Sequence, residues 1–210
     1  LPWGLTIGLA GMTVQSMWQK HLYDPNVEYM EEKIYPFLSE TAKFYVNFMA
    51  KCKKDEQGKI LLGPSYSPEH GDWGIFNCPF DIAYVHYTFD ALIQAAGELK
   101  RDSDLIAQCQ KYKALLGYYP TTMNKNEQPI VVDWKGGDRI DHHNIEVPAS
   151  PIFPADQISW FSSDAEKALF KRTLEDNTRT GDNSHVMFNI AKARFSMLNA
   201  VDDAKAFFSQ

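Results

Sequence analysis

Apolar positions recur at helical spacing in separated blocks along the chain. Val14, Trp18 and Leu22 fall four apart, with Met17 and His21 alongside, which predicts a helix over 11–22. Asp24-Pro25 reads as a stop and a fresh start, since Pro is tolerated in a first helical turn, and a short helix through Val27 and Met30 follows. The strongest block runs from Ile34 to Lys53. Ile34, Leu38, Thr41, Tyr45 and Phe48 keep one face, Phe37 and Phe44 widen it, and Pro36 sits near the first turn. Ile82, Val85, Phe89, Leu92, Ile93, Ala96 and Leu99 predict another helix from about Phe80, ending on Lys100-Arg101 where cations suit the negative end of the dipole. Asp102-Ser103-Asp104 reads as the cap of the next, with Leu105, Ile106, Cys109, Tyr112, Leu115 and Leu116 inward and Gly117 closing it. Ser163 or Asp164 caps a helix to about Leu174, and a last one carries Val186, Ile190, Phe195 and Leu198.

Between these blocks the periodicity disappears. Lys53 to Gly58 is a solvated turn, and Ile60-Leu61-Leu62 is too brief to define a strand. Gly63 to Gly74 then interleaves Gly, Pro, charges and rings. A second irregular stretch, 118–162, holds Asp133-Trp134, Asp138, Asp141, His142, His143 and Glu146 before Pro148, Pro151 and Pro154. Loops of this length are uncommon in compact domains unless they carry function or are disordered, and the rings argue against disorder. There is no βαβ alternation and no repeated unit, so the expected fold is all-α, built from helical hairpins. Of a bundle, a solenoid and a closed ring of hairpins, the ring with its working residues in loops at one end fits best.

The 210 residues suit one compact unit, or part of a larger one, taken as a single domain over 1–210. Apolar residues at 44% and charged residues at 23% exclude a wholly disordered chain. The 13% aromatic content suits a large core or a cleft walled by flat rings. With 21 Lys+Arg against 27 Asp+Glu the net charge is −6, the wrong sign for a protein that neutralises nucleic-acid phosphates. No apolar run is long enough to span a bilayer, and no signal peptide is visible. The opening Leu1-Pro2-Trp3-Gly4 is expected to be that of a processed or truncated chain. Cys52, Cys78 and Cys109 are widely spaced, which indicates neither a disulfide scaffold nor a zinc knuckle.

Three places offer chemistry. Glu69 lies in Ser65-Tyr66-Ser67-Pro68-Glu69-His70-Gly71, stiffened by Pro64 and Pro68, with Tyr66 and Trp73 near in sequence. A carboxyl held against rings has its ionised form disfavoured and can serve as a general acid, whereas a solvated glutamate in the same loop would do nothing. His70 beside it is a sugar-hydroxyl partner or an exposed side chain. Asp133, Trp134, Asp138, Asp141, His142 and His143 form the second group; adjacent histidines point in different directions, so a metal site is disfavoured, and the cluster either hydrogen-bonds a hydroxyl-rich ligand or is a structural loop. Asp182, in Arg179-Thr180-Gly181-Asp182-Asn183-Ser184-His185, is either a cap of the last helix or a second carboxylate of the site. Two carboxylates across a sugar-sized cleft suffice for glycoside hydrolysis.

In order, the motifs resemble the catalytic domain of the inverting α-L-fucosidase family of glycoside hydrolases, family 95. Ile34-Tyr35-Pro36-Phe37-Leu38 resembles the family's "YP-hydrophobic" helix, and Pro64-Ser65-Tyr66-Ser67-Pro68-Glu69 its P-S-x-S-P-E loop. Asp81 ahead of an amphipathic helix is similar to an M-D-x-x-I-I turn, and Asp133-Trp134 to an E-W pair. His143 and Phe153-Pro154-Ala155-Asp156-Gln157-Ile158-Ser159 resemble the H-R-H-x-S-H and Y-P-G-x-Q-I region, and Thr180-Gly181 the start of T-G-W-S. The resemblance implies an (α/α)6 toroid of which this chain is about the C-terminal half, with the rest of the polypeptide as its partner. Half a toroid would expose inner helix faces that the other half buries. The resemblance further implies a secreted or periplasmic glycosidase without cofactor or metal, acting on a terminal L-fucose-like or L-galactose-like sugar of a glycan. Glu69 is then the general acid, and His70, Trp73, Asp133, Trp134, His142 and His143 face the substrate. Asp182 as base follows from its place before the last helix, not from the resemblance. Asp182-Asn183 stands where the family has W-S, Pro148 where it has His, and Asp133 where it has Glu. A non-catalytic carbohydrate-binding toroid and a helical interaction scaffold are the alternatives.

Overall fold

The computed structural model describes residues 6–140, 144–176, 181–195, 197 and 205, with the backbone alone at 70–72. Helix α1 spans Leu9–Tyr23. A short α2 (Val27–Tyr29), whose Asn26 side chain accepts the Tyr29 N–H, passes through a π-helical turn (Met30–Ile34) into α3 (Tyr35–Met49). Pro36 lies in the first turn of α3, directly after the π-helical turn. Strands β1 (Ser65–Ser67) and β2 (His70–Ile75) follow, then α4 (Pro79–Leu99) and α5 (Ser103–Leu115). Strands β3 (Thr121–Met123) and β4 (Pro129–Val131) precede α6 (Asp164–Asp176) and α7 (Asp182–Arg194).

The fold is all-α with two small antiparallel hairpins, β1-β2 and β3-β4, set in its connections. Both hairpins lie in stretches that the sequence reads as irregular, because strands this short carry too few residues to show a period of two. Capping departs from expectation at α5 and meets it at α6. Asp102 takes a left-handed conformation and makes no cap; its carboxylate accepts the Tyr35 hydroxyl at 2.5 Å. At α6 the expected cap is a reciprocal box, in which the Ser163 N–H donates to Glu166 at 3.0 Å and the Glu166 N–H returns to the Ser163 hydroxyl at 3.3 Å.

Helices α1 and α4 run parallel, with Gly8 against Asp81 at one end and His21 against Glu98 at the other. Helix α3 runs antiparallel to both, since Tyr45 reaches Gly11 while Tyr35 reaches Asp102 beyond the far end of α4. The main core lies among α1, α3, α4 and α5 and includes Val14, Trp18, Leu38, Tyr45, Phe89 and Cys109. Phe37 and Phe44, expected to widen the buried face of α3, are exposed on its flank. A second core joins β4, α6 and α7 through Val131, Phe170, Leu174 and Phe188. A third, with Ile75, Cys78, Phe80, Tyr84, Val147 and Ala155, packs the long 132–163 connection onto the start of α4. At Gly11 a Cβ would lie 2.7 Å from the Tyr84 carbonyl oxygen, so glycine lets α1 and α4 meet backbone to backbone. No helix of the described residues is long and apolar enough to cross a membrane.

Candidate active site

The N-termini of α1 and α4 open at one end of the helical layer, and the β1-β2 hairpin and the 132–163 connection gather there. The hairpin turns through Pro68-Glu69, so Glu69 stands at its tip, exposed and in a left-handed backbone conformation (φ 56°). Trp73 on β2 is 51% exposed and forms part of an apolar groove of about 390 Å³ with Thr6, Leu9, Phe44, Phe48 and Pro64. Its indole is therefore partly open to solvent. His70 begins β2 directly after Glu69, and its side chain lies outside the described residues.

Asp133 and Trp134 reach the hairpin's exit, where the Lys135 N–H donates to the Phe76 carbonyl at 2.9 Å. Trp134 is half-buried against the third core, and the Gly137 backbone packs over its indole. Asp133 is only 1% exposed and points inward. It lines a water-sized cavity of about 20 Å³ with Arg139, Glu146, Thr173 and Asp176. His142 and His143 lie outside the described residues. Asp182 is exposed at the first residue of α7 and makes no side-chain cap there; the backbone of Gly181 occupies the cap position.

Glu146 is a residue that sequence reasoning passed over. It is 1% exposed and accepts the Ser184 hydroxyl at 3.0 Å, while Asn144 accepts the Asn183 N–H at 3.2 Å. These two bonds tie the first turn of α7 to the long connection. Ser184 therefore serves Glu146 rather than capping its own helix. A lone Glu in a loop gives no local signal of such a role.

Asp81 stands out among the titratable groups. It lies in the first turn of α4 and is 0% exposed, and burial pushes its carboxyl up to about 7 although Ser65 and the Gly8 N–H favour its ionised form. Cys78, one turn of backbone away, is also buried and its thiol is pushed up by burial and by Asp81.

The family model of the glycosyl hydrolase family 95 catalytic domain matches residues 1–207. The chain belongs to glycosyl hydrolase family 95. No curated protein matches it. Membership makes it a glycoside hydrolase domain whose substrates are glycans.

Within this family-95 domain the structure gathers Trp134, Asp133 and Glu146 behind the hairpin and brings Ser184 to them, with Asp182 at the outer edge of that cluster. Glu69 and Asp182 stand on separate elements, and among the described residues no hydrogen bond or ion pair joins them. Two expectations need correcting. Asp133 is a buried carboxylate beneath the site rather than a group lining an open cleft, because the third core draws the 132–134 segment onto α4. Glu69 is not sheltered by rings from its own loop: it stands at the turn of the hairpin, exposed to solvent. Among the described residues, no group of three or more His, Cys, Asp or Glu side chains is placed to hold a metal ion.

Proposed function

We propose that this domain hydrolyses a terminal α-L-fucose-like or α-L-galactose-like linkage of a glycan with inversion, with Glu69 as the general acid. Asp182 serves as the base or water-orienting group. In that scheme Glu69 gives its proton to the glycosidic oxygen as the bond to the anomeric carbon breaks. Water, deprotonated by Asp182, adds to the opposite face. The observation that carries the reading is that Glu69 stands at the tip of an anchored hairpin whose second strand carries the half-exposed Trp73 into an apolar groove. A sugar stacked there excludes water from the hairpin tip and supplies the desolvation that the free chain lacks.

The apolar side chains exposed along one flank of α1 and α3, Leu9, Met12, Phe37 and Phe44, support the reading of residues 1–210 as part of a larger toroid whose remaining hairpins cover them. A secreted or periplasmic setting completes this proposal.

The test is Glu69→Gln in the full-length enzyme, assayed on aryl α-L-fucosides and α-L-galactosides. The expected result is a loss of about 10²–10⁴ in kcat with saccharide binding retained by calorimetry. Turnover at the wild-type rate refutes Glu69 as the acid. The exposure of Glu69 also favours a second reading, a carbohydrate-binding domain without catalysis. Tight saccharide binding by the wild type with no hydrolysis across a broad glycoside panel establishes that alternative.

A further inference from the structure

The hairpin that presents Glu69 is short, and two strands of this length do not hold a direction by themselves. What holds it is a joint at its base. The Ser65 hydroxyl, on the first residue of β1, hydrogen-bonds the Asp81 carboxyl. Asp81 Oδ1 also accepts the Gly8 N–H at 2.7 Å, and Ser65 Oγ accepts the Ile7 N–H at 3.2 Å. One residue further along the hairpin, the Tyr66 carbonyl accepts the Thr6 hydroxyl at 2.9 Å. Tyr45 closes the joint from α3: its hydroxyl donates to the Ile7 carbonyl and accepts the Gly11 N–H, both at 2.9 Å. Segment 6–8, which leads into α1, is thereby strapped between the hairpin and helices α3 and α4, with Asp81 bonded to both the segment and the hairpin.

We propose that Asp81 is a positioning residue for Glu69: its fully buried carboxyl, bonded at once to β1 and to the start of α1, fixes the hairpin's base and thereby the line along which Glu69 approaches the glycosidic oxygen. This rests on the reading of Glu69 as the acid. Burying a carboxyl with one oxygen, Oδ2, unmatched by any hydrogen bond among the described residues is costly, and a joint needed only for stability is made as well by an amide or hydroxyl. Gly8 fits the same purpose. A Cβ there would lie 3.0 Å from Asp81 Oδ1 and 2.7 Å from the Phe80 ring, so only glycine lets the N–H approach the carboxyl this closely. From Ser65 to the tip the strand runs on the order of 10 Å, so a small tilt at the base becomes a larger displacement at Glu69. A misplacement of about 1 Å at a reacting group costs on the order of 10²-fold in rate.

The experiment uses Asp81→Asn, Ser65→Ala and Glu69→Gln in the full-length enzyme, with aryl α-L-fucosides whose leaving phenols range from 2,4-dinitrophenol to unsubstituted phenol. A dinitrophenolate departs without a proton, so an enzyme whose acid is displaced is slowed only on the poor leaving groups. The expected result is a loss of about 10–100-fold in kcat on phenyl substrates for Asp81→Asn and Ser65→Ala. On dinitrophenyl substrates the change is under about threefold, with KM unchanged throughout. An equal loss across all leaving groups in folded Asp81→Asn and Ser65→Ala, while Glu69→Gln shows the steep dependence, overturns the positioning role alone. A flat dependence in Glu69→Gln itself overturns the acid reading and this inference with it. If Asp81→Asn does not fold, Ser65→Ala, which deletes one hydroxyl and keeps the buried carboxyl, decides the matter by the same criterion.

Discussion

Replacing Asp81 by Asn should change how stability depends on pH more than it changes stability at any one pH. The carboxyl is completely buried, and its pKa is raised from 3.8 to about 7. Between those values the folded protein holds the proton and the unfolded chain has lost it. The folded state therefore binds more protons, and ΔG of unfolding falls as pH rises. The stabilisation is complete below the unfolded value and is lost as pH climbs through about 7. A rise from 3.8 to about 7 corresponds to about 4 kcal/mol across that window. His86 works against this. Burial lowers its imidazole from 6.5 to about 4, so its contribution is present above 6.5 and lost as pH falls toward 4. That slope is worth up to about 3 kcal/mol, less whatever solvation its half-buried ring retains. The wild type should thus show a shallow profile made of two opposed slopes. Asn keeps the shape and can still accept the Gly8 N–H, but it does not titrate. The difference between variant and wild type isolates Asp81. Tyr45 and Cys78, its titratable neighbours, ionise well above 7 and cancel from that difference. Urea unfolding followed by tryptophan fluorescence at intervals from pH 4 to 8 gives the comparison. Relative to wild type, Asp81→Asn should gain up to about 4 kcal/mol over that range. A difference that stays constant, or that falls as pH rises, refutes the account of Asp81 as a protonated buried acid.

Two further substitutions test the packing that carries the site. Gly11→Ala drives a methyl to 2.7 Å from the Tyr84 carbonyl, and thermal or denaturant unfolding should show a loss of about 1–3 kcal/mol; a neutral result means that α1 and α4 can separate without penalty. Ser184→Ala removes the hydroxyl that Glu146 accepts, and should cost about 1.5–3 kcal/mol with faster amide exchange in the first turn of α7. Unchanged exchange there argues that α7 is held by its apolar face alone.

The helices were legible because their signal is local. The stripes of α1, α3, α4 and α5 are written by residues three and four apart, and each appears within a residue or two of its expected place, apart from the end of α3 at Met49. The ordered motifs, from Tyr35-Pro36 to Thr180-Gly181, pointed to the family that the domain match shows. The hairpin beneath Glu69 was hidden because its strands are short and Ser65 and Ser67, both buried, put polar residues where a strand pattern calls for apolar ones. Asp102 looked like a cap because the residues after it favour one, and Tyr35 outbid the helix for its carboxylate from 67 positions away.

What the sequence determined by itself is the set of helices, the stretches between them that carry no period, and the residue types collected there. The tertiary structure decided which of those residues meet. Asp81 lies 73 positions from Gly8, Glu146 lies 38 from Ser184, and nothing in either neighbourhood announces the other. A helical period is set by backbone geometry over one or two turns, so it can be read from adjacent letters. The burial of a carboxylate depends on every segment that folds over it, and those segments are assembled only when the chain is.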